Sequence, residues 1–397
     1  EPAGAIFEDN SGIIWIGTYT DGVKTYNPRE NRFKHYYDDA PGLNQKDKNL
    51  ITSLLEDKKG NLFVGTYNYG LKIYSPPDKN STRYKIRNFN SIPGNPYIIS
   101  SNRIISLSES SQGDIWIGTE NDGLNRYDSK TGRFYRFYHN PTDINSPASN
   151  RSTSIFYDKE NDLLWIGYLE GNIDSYHIKS GSFKHYNIEK YKNPAGSINS
   201  VTLIFKGEQT GLWAGTFEGE LNRFNPHTDS FDRINFKPAI GSGTIKNGIY
   251  SLFEDDEGIL WIGTYGGGLS RFDVTNDSVK TFTEVDGLSN NVVYGILSDN
   301  LGNLWLSTNK GISKFDPKME IFKNFDVSDG LQSNEFNQGA YFRSTRGELF
   351  FGGVNGFNAF YPEKIEENSF FCMIRGCRVA RCGSDPSVLI SNEVFFG

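Results

Sequence analysis

Leu260-Trp261-Ile262-Gly263-Thr264-Tyr265-Gly266-Gly267-Gly268-Leu269-Ser270-Arg271-Phe272-Asp273 is the clearest copy of a unit that recurs along most of the 397-residue chain. Its aromatic position is filled by Trp15, Phe63, Trp116, Trp165, Trp213, Trp261, Trp305 and Phe350, so all six Trp sit at one place in the repeat. The glycine two residues on is Gly17, Gly65, Gly118, Gly167, Gly215, Gly263 and Gly352, with Ser307 the exception. The spacing runs from 44 residues (Trp261 to Trp305) to 53 (Phe63 to Trp116). A period in the forties, built from short aromatic and β-branched runs, points to an all-β fold of the β-propeller type.

Each unit reads as strands a, b and c followed by an outer strand d. In the second copy strand a is Ile51 to Leu55, strand b Leu62 to Thr66 and strand c Leu71 to Tyr74. A glycine recurs at the turn into strand c, from Gly22 and Gly70 to Gly311 and Gly356, as a hairpin position with positive φ requires. Side chains alternate faces with period two, so Trp261 and Gly263 share one face of strand b. The ring is expected to fill the gap between blades while the glycine admits the adjacent sheet.

Eight a-b-c units compete for seven d strands. A closed propeller removes its exposed edges, and the segment Phe33 to Tyr37 can supply the missing d strand to the unit around Phe350. On that count residues 31–365 form seven four-stranded blades closed by an N-terminal outer strand. Residues 1–30 are then left over from a preceding propeller, and 366–397 form a tail that begins a following β module or is disordered. The alternative is eight blades around the whole chain.

Composition bounds the function. A net charge of −7 without a basic stripe argues against nucleic acid as a partner. No apolar run approaches the ~20 residues of a membrane-spanning helix. The chain opens on Glu1 inside a repeat with no signal peptide, which reads as a fragment with any targeting segment removed. Cys372, Cys377 and Cys382 crowd into the tail and match no zinc pattern. No G-x-S-x-G motif and no His pair at metal spacing occur, so no catalytic residue, metal or cofactor is expected. His35 and His185 share a d-strand position and read as structural. The run Glu254-Asp255-Asp256-Glu257-Gly258 looks like half a calcium loop, but its counterparts are ordinary tight turns, so it reads as a solvated hairpin tip.

Strand a is preceded by the same residue in each full unit: Asn49, Asn102, Asn150, Asn199, Asn247, Asn291 and Asn334. These amides are expected to cap incoming loops. The residue after each Asn varies, and Arg103, Arg151 and Glu335 are candidates for ligand contact at the mouth of a central channel. The b–c turns open on the same face and offer Tyr67, Tyr69, Glu120, Tyr168, Glu170 and Tyr265 as exposed aromatic and polar groups. Rings beside carboxylates suit an oligosaccharide, whose C–H faces pack on aromatics while its hydroxyls take hydrogen bonds. A protein partner would meet similar residues.

The unit Asn-x-Val/Ile…Glu-Asp-x-x-Gly-x-Leu-Trp-Ile-Gly-Thr-x-x-x-Gly-Leu-x-Arg-Phe/Tyr-Asp, clearest at Asn247 to Asp273 and again at Asn291 to Asp316, resembles the regulator-propeller repeat. That repeat is typical of periplasmic sensor regions of hybrid two-component histidine kinases in gut bacteria. The segments Asp329 to Asn337 and Gly353 to Pro362 resemble the end of the second propeller in those sensors. The resemblance implies two tandem seven-bladed propellers, a following immunoglobulin-like domain, a membrane anchor and kinase modules. It also implies a homodimer in the full-length form and non-catalytic binding of oligosaccharides that controls polysaccharide-utilisation genes. Alternatives are a propeller enzyme, such as a polysaccharide or antibiotic lyase, and a protein-interaction propeller.

Overall fold

The computed structural model describes residues 3–9, 13–19, 22–26, 33–38, 49–77, 84–188, 199–236 and 247–365. The cysteine tail lies outside the described residues. The described residues form seven four-stranded antiparallel sheets and one three-stranded sheet. The first blade is Ile51–Glu56, Leu62–Thr66, Leu71–Ser75 and Lys85–Phe89, close to the strand limits expected from the repeat. Blades 2 to 6 repeat this order, with strands a at Ile104–Glu109, Ser152–Asp158, Val201–Gly207, Ile249–Glu254 and Val293–Ser298. Blade 7 has Phe336–Arg343, Leu349–Gly353 and Gly356–Phe360, and its outer strand is Lys34–Tyr36 from the other end of the chain.

Closure is therefore made as the strand count requires. His35 stands opposite Asn358 and Tyr36 opposite Phe357. The Tyr36 and Phe357 rings stack at 4.8 Å, and Phe33 packs edge-on against Phe360 at 4.7 Å. The seven strands a touch in sequence around an axis, and Phe336–Arg343 meets Ile51–Glu56 to complete the ring. The sheet of Ala3–Glu8, Ile14–Thr18 and Val23–Tyr26 stands outside that ring.

The repeated Trp and Gly do what their alternation implies. Trp116, Trp165, Trp213, Trp261 and Trp305 are buried at blade junctions, as are Phe63 and Phe350. Trp15, in the three-stranded sheet, is 42 % exposed. A Cβ on Gly65 would stand 2.7 Å from Ile104 of blade 2, and one on Gly352 would stand 2.7 Å from Ile51 across the closure. The glycine entering strand c has positive φ in all eight units, from 68° at Gly70 to 96° at Gly356. Asp255 corrects the expectation of a merely solvated tip: its carboxylate accepts from the Glu257 and Ile259 N–H groups and from Trp261 Nε1 at 2.7 Å. The acidic run is thus a turn organised around one carboxylate that also satisfies the buried indole. Among the described residues no helix is long and apolar enough to cross a membrane.

Candidate functional site

The face that carries the b–c turns and d–a loops is built on the recurrent Asn. Its backbone carbonyl accepts from the positive-φ glycine of the preceding blade: Gly70 to Asn102 at 2.9 Å, Gly123 to Asn150 at 2.9 Å, Gly311 to Asn334 at 2.7 Å. Gly356 makes the same bond to Asn49 at 2.7 Å across the closure. The side-chain Oδ1 accepts from the incoming loop, from Ser91 N–H at Asn102 (2.8 Å) and from His139 N–H at Asn150 (2.8 Å). At Asn199 it accepts from Glu218 N–H in the b–c turn of its own blade, at 3.0 Å. These amides cap backbone.

The variable residue after each Asn is held against the start of the b–c turn. Tyr67 N–H donates to Leu50 O, Glu120 N–H to Arg103 O, Leu169 N–H to Arg151 O and Tyr265 N–H to Gly248 O. This register brings side chains together that lie 17 to 53 residues apart in sequence. Arg103 Nη1 donates to Glu120 Oε2 at 2.5 Å, and Tyr67 OH donates to Glu120 Oε1 at 3.0 Å. The Arg103 guanidinium lies 5.0 Å above the Tyr67 ring. Glu120 raises the Tyr67 hydroxyl pKa, first by accepting its proton in a hydrogen bond and then, after burial, by its charge. Arg103 stays about half exposed, so its remaining donors face solvent above a π surface. Arg151 and Glu170 form a looser pair one blade on, at 3.4 Å.

Tyr69 is half-buried in the same b–c turn as Tyr67, where its N–H donates to Thr66 Oγ1 at 2.9 Å. Tyr168 corrects the expectation of an exposed turn aromatic. It is 1 % exposed and donates its hydroxyl to Asp174 Oδ2 at 2.8 Å. It ends strand b in the place where other blades carry Thr66, Thr119, Thr216, Thr264 and Thr308, all buried. The larger ring fills the same interior slot, and aligning Leu-Trp-Ile-Gly-Tyr with Leu-Trp-Ile-Gly-Thr reveals it. Burial, then Asp174, pushes the Tyr168 hydroxyl pKa well up.

Tyr265 is 46 % exposed and belongs to a second group. Its ring lies 5.4 Å from Tyr250, which stacks on Tyr294 at 5.9 Å and 14°. Tyr294 OH donates to Asn309 Oδ1 at 2.9 Å, and the exposed Glu335 carboxylate contributes to raising its pKa, after burial and Tyr265. Burial, with Tyr294 and Tyr265, takes Tyr250 to about 12. Tyr250 and Tyr294 escaped the sequence reading, though a signal exists. The third residue after each Asn is Thr52, Ile105, Thr153, Thr202, Tyr250, Tyr294 and Asn337. The polar members tie neighbouring inner strands: Thr52 Oγ1 donates to Ile104 O, Thr153 Oγ1 to Val201 O, Thr202 Oγ1 to Ile249 O and Asn337 Nδ2 to Ile51 O. Where Tyr replaces Thr, that tie gives way to a half-exposed aromatic stack. Beside it, Lys310 borders a cleft of about 380 Å³ that also contains Glu284, Ser289, Asn324 and Asn334.

The axis is crossed by a side chain of blade 7. In blade 7 strand a, Phe336 pairs with Gly353 and the next paired residue is Tyr341 with Phe351, so the intervening residues bulge. Gln338 Nε2 donates to Thr202 O of blade 4 at 3.0 Å, across the ring from blade 7. A Cβ on Gly339, whose φ is 75°, would stand 3.1 Å from Thr52 O of blade 1. A side chain of blade 7 thus crosses the axis around which Arg103, Arg151 and Glu335 were expected to line a channel mouth. Among the described residues no group of three or more His, Cys, Asp or Glu side chains could hold a metal.

Comparison with known proteins follows the repeat. Residues 2–20, 46–68, 98–121, 244–266 and 287–310 match the family model "two component regulator propeller". A 95-residue segment is 35 % identical to histidine kinase P4 of Formosa agariphila, over 23 % of this chain and 7 % of the kinase. The extracellular domain of a hybrid two component system, BT3049 of B. thetaiotaomicron, superposes with a TM-score of 0.68 at 24 % identity, over 91 % of this chain and 45 % of that one. Streptogramin B lyase is similar in fold at a TM-score of 0.59 and 14 % identity, over 82 % of this chain and 96 % of the lyase. PorZ of Porphyromonas gingivalis gives 0.58 at 15 %, over 88 % and 51 %. The chain thus spans less than half of the first solved structure it matches, and at these identities the likeness shows the fold. In these five segments the chain is similar to the two-component regulator propeller repeat.

Proposed function

We propose that this propeller is a non-catalytic, extracytoplasmic sensor module of a two-component system and that it binds an oligosaccharide on its b–c turn face. The observation that supports this most is the pairing on one face of ring surfaces with fixed polar groups. Tyr67, Arg103 and Glu120 form one such set, and Tyr250, Tyr265, Tyr294 and Asn309 form the other. Sugar rings stack on aromatic plates and their hydroxyls exchange hydrogen bonds with carboxylates, amides and guanidinium groups.

In the same reading residues 1–30 are the last blade of a preceding propeller, and the tail from 366 leads to an immunoglobulin-like domain. The complete protein is a membrane-anchored periplasmic histidine kinase that works as a homodimer. The exposed Phe7 and Trp15 accord with a blade that lacks its neighbour. Isothermal titration of this chain, joined to its preceding segment, against a broad panel of oligosaccharides tests the proposal. Saturable binding that weakens at least tenfold in Tyr67→Ala or Tyr294→Ala supports it. Absence of heat across the panel sinks it, and turnover of any member would favour a propeller enzyme instead.

A further inference from the structure

The residue after the first apolar side chain of strand c holds the loop entering its own blade. Lys72 Nζ reaches Asp38 at 2.9 Å, Asn125 Oδ1 accepts from Ser100 N–H at 3.0 Å, and Asn358 Oδ1 accepts from Gln332 N–H at 2.7 Å. In blade 2 the cross-strand partner on strand d, Arg136, adds bonds to the carbonyls of Asn95, Ile98 and Ile99. Blade 3 builds the same clamp from Asp174 and His185. Asp174 Oδ2 accepts from Ala148 N–H at 2.8 Å, and its Oδ1 lies 2.7 Å from His185 Nδ1. His185 Nε2 lies 2.9 Å from Ile144 O.

We propose that Asp174 and His185 form a proton-operated latch on the loop of residues 138–149: the imidazolium ties the loop to blade 3, and loss of its proton releases one tie. Both ring nitrogens face acceptors, a carboxylate and a carbonyl. Only the doubly protonated ring donates to both, because a neutral imidazole has a single N–H. Its other nitrogen would then oppose a lone pair. Burial works against the charge on His185, but the hydrogen bond and charge of Asp174, with Ile144 O, outweigh it and raise the His185 pKa above its usual value.

The other groups around the latch do not replace this role. His139 and Asp143 line the same cleft of about 370 Å³, with His139 Nδ1 at 2.7 Å from Pro147 O and Asp143 accepting from Asn145 N–H. Tyr168 donates to the far oxygen of Asp174, and Lys184 pairs with Asp229. His35 occupies the equivalent position in blade 7, opposite Asn358, and so has no carboxylate across the strand. With a raised folded pKa, the tie is complete below the ordinary His pKa of about 6.5 and weakens as pH rises through the folded value. The loop runs directly into Asn150 and Arg151, so its release alters the face that carries the Arg151–Glu170 pair.

Hydrogen exchange of the whole chain, read on peptides covering residues 138–149 at pH 5.5 and 8.5 and corrected for intrinsic exchange, tests the latch. Wild-type protection is expected to fall on the order of tenfold at the higher pH, the effect of losing one hydrogen bond from a charged donor. His185→Arg, which copies the charge of Arg136, should stay protected at both pH values, and His185→Ala should be weakly protected at both. Unchanged wild-type protection across the range, or a wild-type pH response retained in His185→Ala, would overturn the proposal. So would an NMR titration placing the His185 pKa at or below the ordinary value.

Discussion

Gly352→Ala is the sharpest test of how the ring closes. The new Cβ would lie 2.7 Å from Ile51 Cγ2, 2.9 Å from Ile51 Cβ and 3.0 Å from Ala340 Cβ. Carbon atoms settle at about 3.5–4.0 Å, so blades 7 and 1 must part by roughly 1 Å along a seam that no covalent bond holds. Overpacking of this size costs about 1–3 kcal/mol. Replacing glycine at ordinary φ returns about 0.4–1 kcal/mol by restricting the unfolded chain. The net loss is centred on about 1.3 kcal/mol, with a melting point lower by roughly 1–2 °C per kcal/mol for a chain of this length. Gly17→Ala is the matched control, since the same repeat position in the three-stranded sheet has its nearest neighbour at 3.7 Å. It should be neutral or slightly stabilising. Urea midpoints and calorimetry on both variants decide it. Equal effects of the two, or a Gly352→Ala protein as stable as wild type, would mean that close approach of sheets does not explain the repeated glycine.

Three further outcomes follow from the same geometry. Trp261→Ala should destabilise by about 3–5 kcal/mol, the usual cost of emptying a buried indole site, whereas Trp15→Ala should cost less than half of that; chemical denaturation compares them. Trp116 Nε1 is buried without a partner, and Ser110 stands where Asp255 and Asp299 satisfy the indoles of their blades. Ser110→Asp should therefore add about 1 kcal/mol at neutral pH, and a lower denaturation midpoint would refute the assignment. Asp158 is buried, which opposes its charge, but Lys206 and Asn161 outweigh this and hold its pKa below the usual carboxylate value. Stability from that pair is present above the unfolded pKa of about 3.9 and lost as pH falls through the folded value. Lys206→Met should accordingly lower the urea midpoint at pH 5 to 7 and converge on wild type at strongly acid pH.

The strands, their order and the glycine turns were legible because each blade repeats a local pattern, and eight readings of it correct one another. Even the closing strand followed from counting. What stayed hidden arose where a blade departs from the pattern or where contacts cross the ring. Tyr168 was misplaced by counting it in the exposed b–c turn, while its alignment with buried threonines at the end of strand b specified the interior. Tyr250 and Tyr294 are the converse, half-exposed rings in a position whose polar occupants tie inner strands together. The bulge left a faint trace, since Asn334 precedes Phe350 by 16 residues where Asn291 precedes Trp305 by 14. That surplus announces a bulge but not its destination. The bond from Gln338 to Thr202 spans 136 residues, and no local periodicity encodes which carbonyl a side chain meets across an axis. Function should follow the same division, with the regular positions of the repeat holding the ring and the substituted ones giving this face its specificity.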